Sequence, residues 1–202
     1  MDYLILIVVS YLIGSIPFGI VIGWMTKKQD IREYGTKNAG ASNTFLVVGP
    51  MAAAATALLD VAKGFFAAAL GWIFFQSEPV VAFCGLAVIT GHIWPIFFRF
   101  RGGKGVATAA GVFLFISGIT FFWAMLLWAM LVLLWRYVAL SNVLAYVLMP
   151  LIALWMDLPN AYILFAIMNA LFMVISHRSN IERFFTGHEP TLVQWLNKQA
   201  QG

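Results

Sequence analysis

The sequence predicts an all-α integral membrane protein of seven transmembrane helices, with its N-terminus outside and its C-terminus in the cytoplasm. Three observations predict it. Of the 202 residues, 62% are hydrophobic and only 10% charged, where soluble domains run nearer one-half and one-quarter; the mean hydropathy is +0.91. Apolar stretches of span length recur along the whole chain, and no water-soluble arrangement hides so much of them. The basic residues fall in alternate connections, the pattern of the positive-inside rule.

The first stretch runs from Tyr3 to Met25. Asp2 and the lack of a basic segment before it argue against a cleaved signal peptide. Its small residues Ser15, Gly19 and Gly23, at helical spacing, predict close approach of another helix. Further stretches run from about Val47 to Phe75 and from Val80 to Phe98. The connection before them carries Lys27, Lys28, Arg32 and Lys37, whereas the one between them, around Gln76–Glu78–Pro79, carries no base.

Val106 to Trp135 is uncharged throughout, too long for one helix of about 20 residues and short for two. A single span would keep Arg136, Arg178, Arg183 and Lys198 from sharing the inner side. Two short helices turning near Gly118–Thr120, each of ~15 residues, place them all inside. Val143–Met156 and Ala161–Ser176 complete the set. Of the twelve Lys and Arg, all but Lys63 then face the cytoplasm, while Asp2, Glu78 and Asp157 stay outside. The chain reads as one transmembrane domain, 1–202. Its net charge of +4 follows from topology, so the partner expected is the lipid bilayer and not nucleic acid. Cys84, alone in an apolar run, offers no disulfide framework or thiolate metal site and reads as packing.

The same topology gathers the unusual polar segments on the inner side: DIREYGTKNAGASNT (30–44), RFRGGKGVAT (99–108), RYVALSN (136–142) and SHRSNIERF (176–184). Glycine lets a backbone approach a ligand closely. GGKG leads straight into the next span, so its amide hydrogens and the positive helix end predict a phosphate-binding geometry, with Lys104 adding a full charge. It is not a Walker loop, because Phe98 stands where the first Gly is needed and Gly105 replaces the Ser or Thr. Asp60 and Lys63, three residues apart within a span, share a helix face. A lone charge at mid-membrane costs roughly 2.5–3.5 kcal/mol, so the pair is expected to face the bundle interior, as structural glue or as part of a polar cavity. His92 and Pro95 are placed to orient the loop that follows. His177 and Asn180 share a face if the last span continues; histidine can take a proton near neutral pH, and asparagine can orient a hydroxyl. No second His or carboxylate stands at ligand spacing, so neither metal nor cofactor is expected. The residues by themselves leave open an enzyme acting on anionic substrates and an organic-anion transporter.

GHIWPIFFRFRGGKGVAT (91–108), HRSNIERFFTGHE (177–189), GTKNAGASN (35–43), LLDVAKG (58–64) and GSIPFG (14–19) together resemble the bacterial acyl-phosphate:glycerol-3-phosphate acyltransferase family, the PlsY type, over nearly the whole chain. The resemblance implies transfer of a fatty acyl group from acyl phosphate to the 1-hydroxyl of glycerol 3-phosphate, giving lysophosphatidic acid and inorganic phosphate, the first step of phospholipid synthesis. It implies no thioester donor, a bacterial cytoplasmic (inner) membrane location with the active site facing the cytoplasm, and functional coupling to an enzyme that makes acyl phosphate. Gly102, Gly103, Lys104 and Gly105 match the family's substrate-phosphate loop. Asn38, Gly40 and Asn43 match its first-loop motif, with Thr36 at a position usually Ser. His177 and Asn180 match the tail positions implicated in catalysis. Three departures stand out. Leu46 occupies a position usually Arg; GTKN replaces GSGN, offering Lys37 as a nearby cation; and ALSN replaces SLxS, putting Ala139 and Asn142 where serines are usual. These departures make a catalytically impaired paralogue the second rival.

Overall fold

Prolines set the first breaks in the chain. Pro17 has no amide hydrogen and disfavours helix at the residue before it, so the first predicted span divides into α1 (Tyr3–Gly14) and α2 (Phe18–Lys27). The structure, a computed structural model, describes residues 2–200, with side chains for 2–197; the side chain of Lys198, counted above as an inner cation, lies outside the described residues. Asp2 caps α1 by accepting from the Leu4 N–H at 3.1 Å. A 3-10 turn (Ile31–Glu33) and α3 (Ala41–Val47) occupy the loop that the sequence predicts as the first inner one. Pro50, at the position where its missing N–H costs nothing, opens α4 (Pro50–Phe75); α5 (Glu78–Ile93) ends ahead of Pro95, and α6 covers Val106–Ile116.

These elements fall in one compact unit, Met1–Ile116. Inside it α4 packs on α6 and α5, and α1 packs on α5. Small residues let the backbones meet: a Cβ on Gly64 would overlap the Thr108 carbonyl, one on Gly111 the Val61 carbonyl, and one on Gly91 the Tyr11 carbonyl. Gly19 and Gly23, expected to face another helix, instead receive the first inner loop. A Cβ on Gly19 would overlap the Ala39 carbonyl, and one on Gly23 would press on the Ile31 side chain. Ile20, Ile31 and Ala39 form the small core beneath that loop.

The second unit, Ser117–Gly202, holds α7 (Gly118–Trp135), α8 (Val138–Trp155), α9 (Asn160–Ser176), α10 (Arg178–Phe185) and α11 (Leu192–Ala200). The expected division of 106–135 is present but unequal, 11 residues and 18. The break falls at Ser117 because that residue is the cap: its Oγ accepts from the Thr120 N–H at 3.2 Å and from the Thr120 hydroxyl at 2.9 Å. α8 starts five residues ahead of the predicted Val143, so Ser141 and Asn142 lie on a helix and not in a turn. The last span does not run on through His177: the chain bends by 58° between α9 and α10, so His177 and Asn180 sit at a corner and not on one continuous face.

Five segments are long and apolar enough to cross a membrane: Tyr3–Lys27 taken across its break, Pro50–Phe75, Glu78–Phe98, Gly118–Trp135 and Val138–Trp155. The bent pair α9 and α10 makes a sixth if counted as one. α6 is ~16 Å long, about half the hydrocarbon thickness. The chain is thus all-helical among the described residues, with five or six segments of span length. Gly111→Leu, which forces a side chain into the α4 backbone, should lower the thermal unfolding midpoint in detergent micelles, an overpacking cost of about 1–3 kcal/mol. Gly118→Ala, with nothing within 4 Å of its added Cβ, should leave the midpoint unchanged.

Candidate functional site

The glycine loop is built as the closing turn of α5. Trp94 N–H donates to the Thr90 carbonyl at 2.8 Å, and the Tyr11 hydroxyl donates to the Trp94 carbonyl at 2.8 Å. Arg99 and Phe100, both in the left-handed region at φ 56° and 58°, turn the chain back. Gly102 N–H then reaches the Ile93 carbonyl at 3.2 Å, and Gly103 N–H the His92 carbonyl at 3.0 Å. These two amides are spent on the end of α5, contrary to the expectation that they point at a phosphate. Glycine is required there for room: a Cβ on Gly102 would overlap the His92 carbonyl, and one on Gly103 the His92 imidazole. Gly105, at φ 85°, leads into α6, whose first helical bond is Ala109 N–H to the Gly105 carbonyl at 2.8 Å. Half-buried Lys104 stands just ahead of that helix.

Beneath the loop, Asp60, Lys63 and His92 are all buried. Asp60 Oδ1 lies 2.8 Å from Lys63 Nζ and 3.4 Å from His92 Nδ1. Lys63 Nζ also donates to the Gly14 carbonyl at 3.1 Å and the Ile16 carbonyl at 2.8 Å.

In the first inner loop, fully buried Asn43 is the organiser. Its Nδ2 donates to the Ile31 and Asn38 carbonyls at 2.7 and 2.8 Å, and its Oδ1 accepts from the Thr36 N–H at 2.7 Å. The whole amide is spent on backbone, so Asn43 shapes the loop from within. Asn38 Oδ1 accepts from the Gly40 N–H at 3.0 Å, a tight local turn. Thr36 and Lys37 are exposed, with Lys37 in the left-handed region at φ 57°, and Leu46 is half-buried in α3. Arg32, read from the sequence only as a topology charge, does what no expected residue does. Its Nη1 donates to the Phe98 carbonyl at 3.2 Å and the Arg101 carbonyl at 2.9 Å, joining the first inner loop to the chain just ahead of the glycine loop. Asp30 holds it in place through Nη2 at 2.7 Å, and this hydrogen bond keeps the Asp30 carboxyl below its usual range despite partial burial. The one available signal was the Asp30–Arg32 spacing.

In the second unit, Asn142 Oδ1 accepts from the Trp128 indole N–H at 2.6 Å, which leaves Nδ2, a donor, as the edge for an anion. His177 is fully buried, with Nδ1 2.9 Å from the Met173 carbonyl and 3.2 Å from the Ser176 hydroxyl. A carbonyl only accepts, so Nδ1 carries the hydrogen, and in the neutral ring Nε2 holds the lone pair. Asn180 Nδ2 donates to Glu189 Oε1 at 2.7 Å, fixing Oδ1 as the accepting edge of its amide. Glu189, itself buried, also receives Arg183 Nε at 2.9 Å, and its N–H returns to the Arg183 carbonyl at 3.1 Å. The turn at Gly187, φ 73°, brings it back. Nothing in the sequence marks Glu189 for this role beyond a carboxylate just after a glycine turn.

Apolar helices of span length, a lysine-bearing glycine loop at the head of one and a histidine–asparagine pair at the bend of another define a multi-pass integral membrane protein built to handle anionic groups. The family model described as Glycerol-3-phosphate acyltransferase matches residues 4–187, and the chain belongs to that family. It is 40% identical to a glycerol-3-phosphate acyltransferase of Finegoldia magna over 196 residues, covering 95% of this chain and 98% of the relative. It is 39% identical to glycerol-3-phosphate acyltransferase 2 of Bacillus anthracis over 188 residues, covering 93% and 97%. Among solved structures, it resembles PlsY, an integral membrane glycerol 3-phosphate acyltransferase. The glycerol 3-phosphate form gives a TM-score of 0.89 at 37% identity, covering 94% of each chain. The lysophosphatidic acid form gives 0.88 at 35%, covering 96% of this chain and 98% of that one.

Glu189→Ala removes two charge-assisted bonds, each worth roughly 1.5–3 kcal/mol. It should lower both turnover and the thermal midpoint, whereas Glu189→Gln, which can still accept from Asn180, should recover much of the turnover. Because the Asp30 pKa is depressed, its clamp on Arg32 stabilises the loop above the ordinary carboxylate value of 3.8 and is lost as pH falls through the lowered one. Limited proteolysis of the 28–40 loop should therefore show protection down to about pH 4, and Arg32→Gln should abolish that protection at neutral pH.

Proposed function

We infer that this protein transfers a fatty acyl group from acyl phosphate to the 1-hydroxyl of glycerol 3-phosphate, giving lysophosphatidic acid and inorganic phosphate. The observation that carries the reading is that the family match spans both polar clusters, while the two PlsY structures are a glycerol 3-phosphate form and a lysophosphatidic acid form, the acceptor and the product of this transfer. The hydroxyl oxygen attacks the acyl carbonyl carbon, and the bond from that carbon to the phosphate oxygen breaks. An acyl phosphate is an activated donor, so positioning and charge stabilisation suffice.

The residues take distinct roles in this reading. Lys104 and the positive end of α6 hold a substrate phosphate; Gly102, Gly103 and Gly105 give the loop the room and turn to present them. Thr36, Lys37, Asn38 and Gly40 line the first-loop side, over the frame that Asn43 sets. Asn142 supplies an amide donor to phosphate. Asn180 Oδ1 accepts from and aims the attacking hydroxyl. His177 Nε2 draws its proton as the new bond forms, and the departing phosphate is the final acceptor.

Residues 1–202 act as one transmembrane acyltransferase domain with seven spans, N-terminus outside, in the bacterial cytoplasmic membrane. The polar clusters face the cytoplasm, and α6 serves as the short additional span. Basic residues confined to alternate connections support this orientation. The labile mixed anhydride it consumes argues for functional coupling to the enzyme that makes acyl phosphate.

The test is a purified assay with acyl phosphate and glycerol 3-phosphate, scoring lysophosphatidic acid. Uptake of labelled substrate into proteoliposomes with no product formed would favour an organic-anion transporter. Lys104→Ala should raise the KM for a phosphate substrate about tenfold or more and change kcat less. Asn180→Ala should lower kcat by about 10²-fold or more with KM little changed.

A further inference from the structure

We propose that His92, Asp60 and Lys63 are positioning residues for the phosphate loop: a buried strut that sets where Gly103 and Lys104 stand and thereby the affinity for a phosphate group. The inference rests on Gly102–Gly105 being that loop. The strut begins at the break in the first span. Pro17 interrupts helical bonding there, and carbonyls freed inside a membrane cost several kcal/mol each unless another donor meets them. The Lys63 ammonium meets two of them, Gly14 at 3.1 Å and Ile16 at 2.8 Å. Its charge is answered one turn earlier on α4 by Asp60 Oδ1 at 2.8 Å.

The same carboxylate oxygen faces His92 Nδ1 at 3.4 Å. Neither approach to Oδ1 is aligned as a hydrogen bond, so the carboxylate holds the lysine by charge and the imidazole by proximity. The far side of that imidazole is pressed against Gly103 so closely that a Cβ there would overlap Nε2, while the His92 carbonyl accepts the Gly103 N–H at 3.0 Å. One residue thus grips Gly103 from two directions, immediately before Lys104. An ion pair serving only to join helices needs no histidine between it and a loop. Here the break between α1 and α2, the middle of α4 and the end of α5 are tied in series, and the series ends on the loop. None of the three need touch substrate; each acts through Gly103.

The test pairs two variants. His92→Leu removes the imidazole. Asp60→Asn with Lys63→Met removes both charges together, a replacement that buried ion pairs commonly tolerate without loss of stability. Each is read in the purified full-length protein by KM and kcat, and by the shift in thermal midpoint that inorganic phosphate produces. Expected is a KM for a phosphate substrate raised on the order of tenfold, the scale at which supporting groups behind a ligand act, with kcat within about twofold and the phosphate-induced shift reduced. His92→Gln, which keeps a polar group against Asp60, should restore most of the affinity. Unchanged KM and an unchanged phosphate shift in the variants overturn the proposal, as does a kcat loss at constant KM. If His92→Leu does not fold, the Asp60–Lys63 pair variant decides by the same criteria. A parent protein that binds inorganic phosphate but forms no lysophosphatidic acid overturns the proposed function and leaves this inference standing on the phosphate shift.

Discussion

The carbonyls at the end of α5 constrain everything around the glycine loop. A helix ends with acceptors that its own ladder cannot satisfy, and at the edge of a membrane there is little water to take their place. In this chain the Thr90, His92, Ile93 and Trp94 carbonyls are met in turn by Trp94, Gly103, Gly102 and the Tyr11 hydroxyl. That closure folds the loop onto the helix it has just left, brings Lys104 to the head of α6, and leaves no space for a side chain at residues 102 and 103. The glycines that look like a ligand cradle are first of all the closure of a helix.

The groups best placed for chemistry are supported by groups that do none. Asn43 spends its amide on the first inner loop, Arg32 joins that loop to the segment ahead of the glycines, and Glu189 sets the amide of Asn180. Such a scaffold suits an activated donor. Where the leaving group is already good, catalysis needs little more than fixed dipoles and a correctly aimed hydroxyl, and rigid supporting hydrogen bonds provide that directly. Leu46, where the family resemblance implies an arginine, is half-buried in α3, and the cation that ties the first loop down is Arg32.

The polar positions proposed for the site were visible in the sequence one by one. Lys104, His177 and Asn180 stand out as polar groups among hydrocarbon, where polarity is costly and so conspicuous. Arg32 and Glu189 were not legible as contributors, since a charge in a polar segment carries no mark of its partner 66 residues away in one case or across a glycine turn in the other. Asn43 and Asn142 were visible as polar positions, but their duties depended on which backbone or indole group lay opposite.

The sequence alone determined that the chain is helical and membrane-embedded, because its apolar runs are continuous over span length, where a barrel strand would alternate apolar and polar residues. Proline's missing donor explains the breaks at Pro17, Pro50 and Pro95 once they are seen, but the residue type did not announce them, since Pro150 lies within α8. Only the tertiary structure decided the direction of each amide in the glycine loop, the corner at His177 and the burial of Asp60 between Lys63 and His92. Those outcomes turn on the neighbouring helix's backbone, whose distance and angle no single segment encodes.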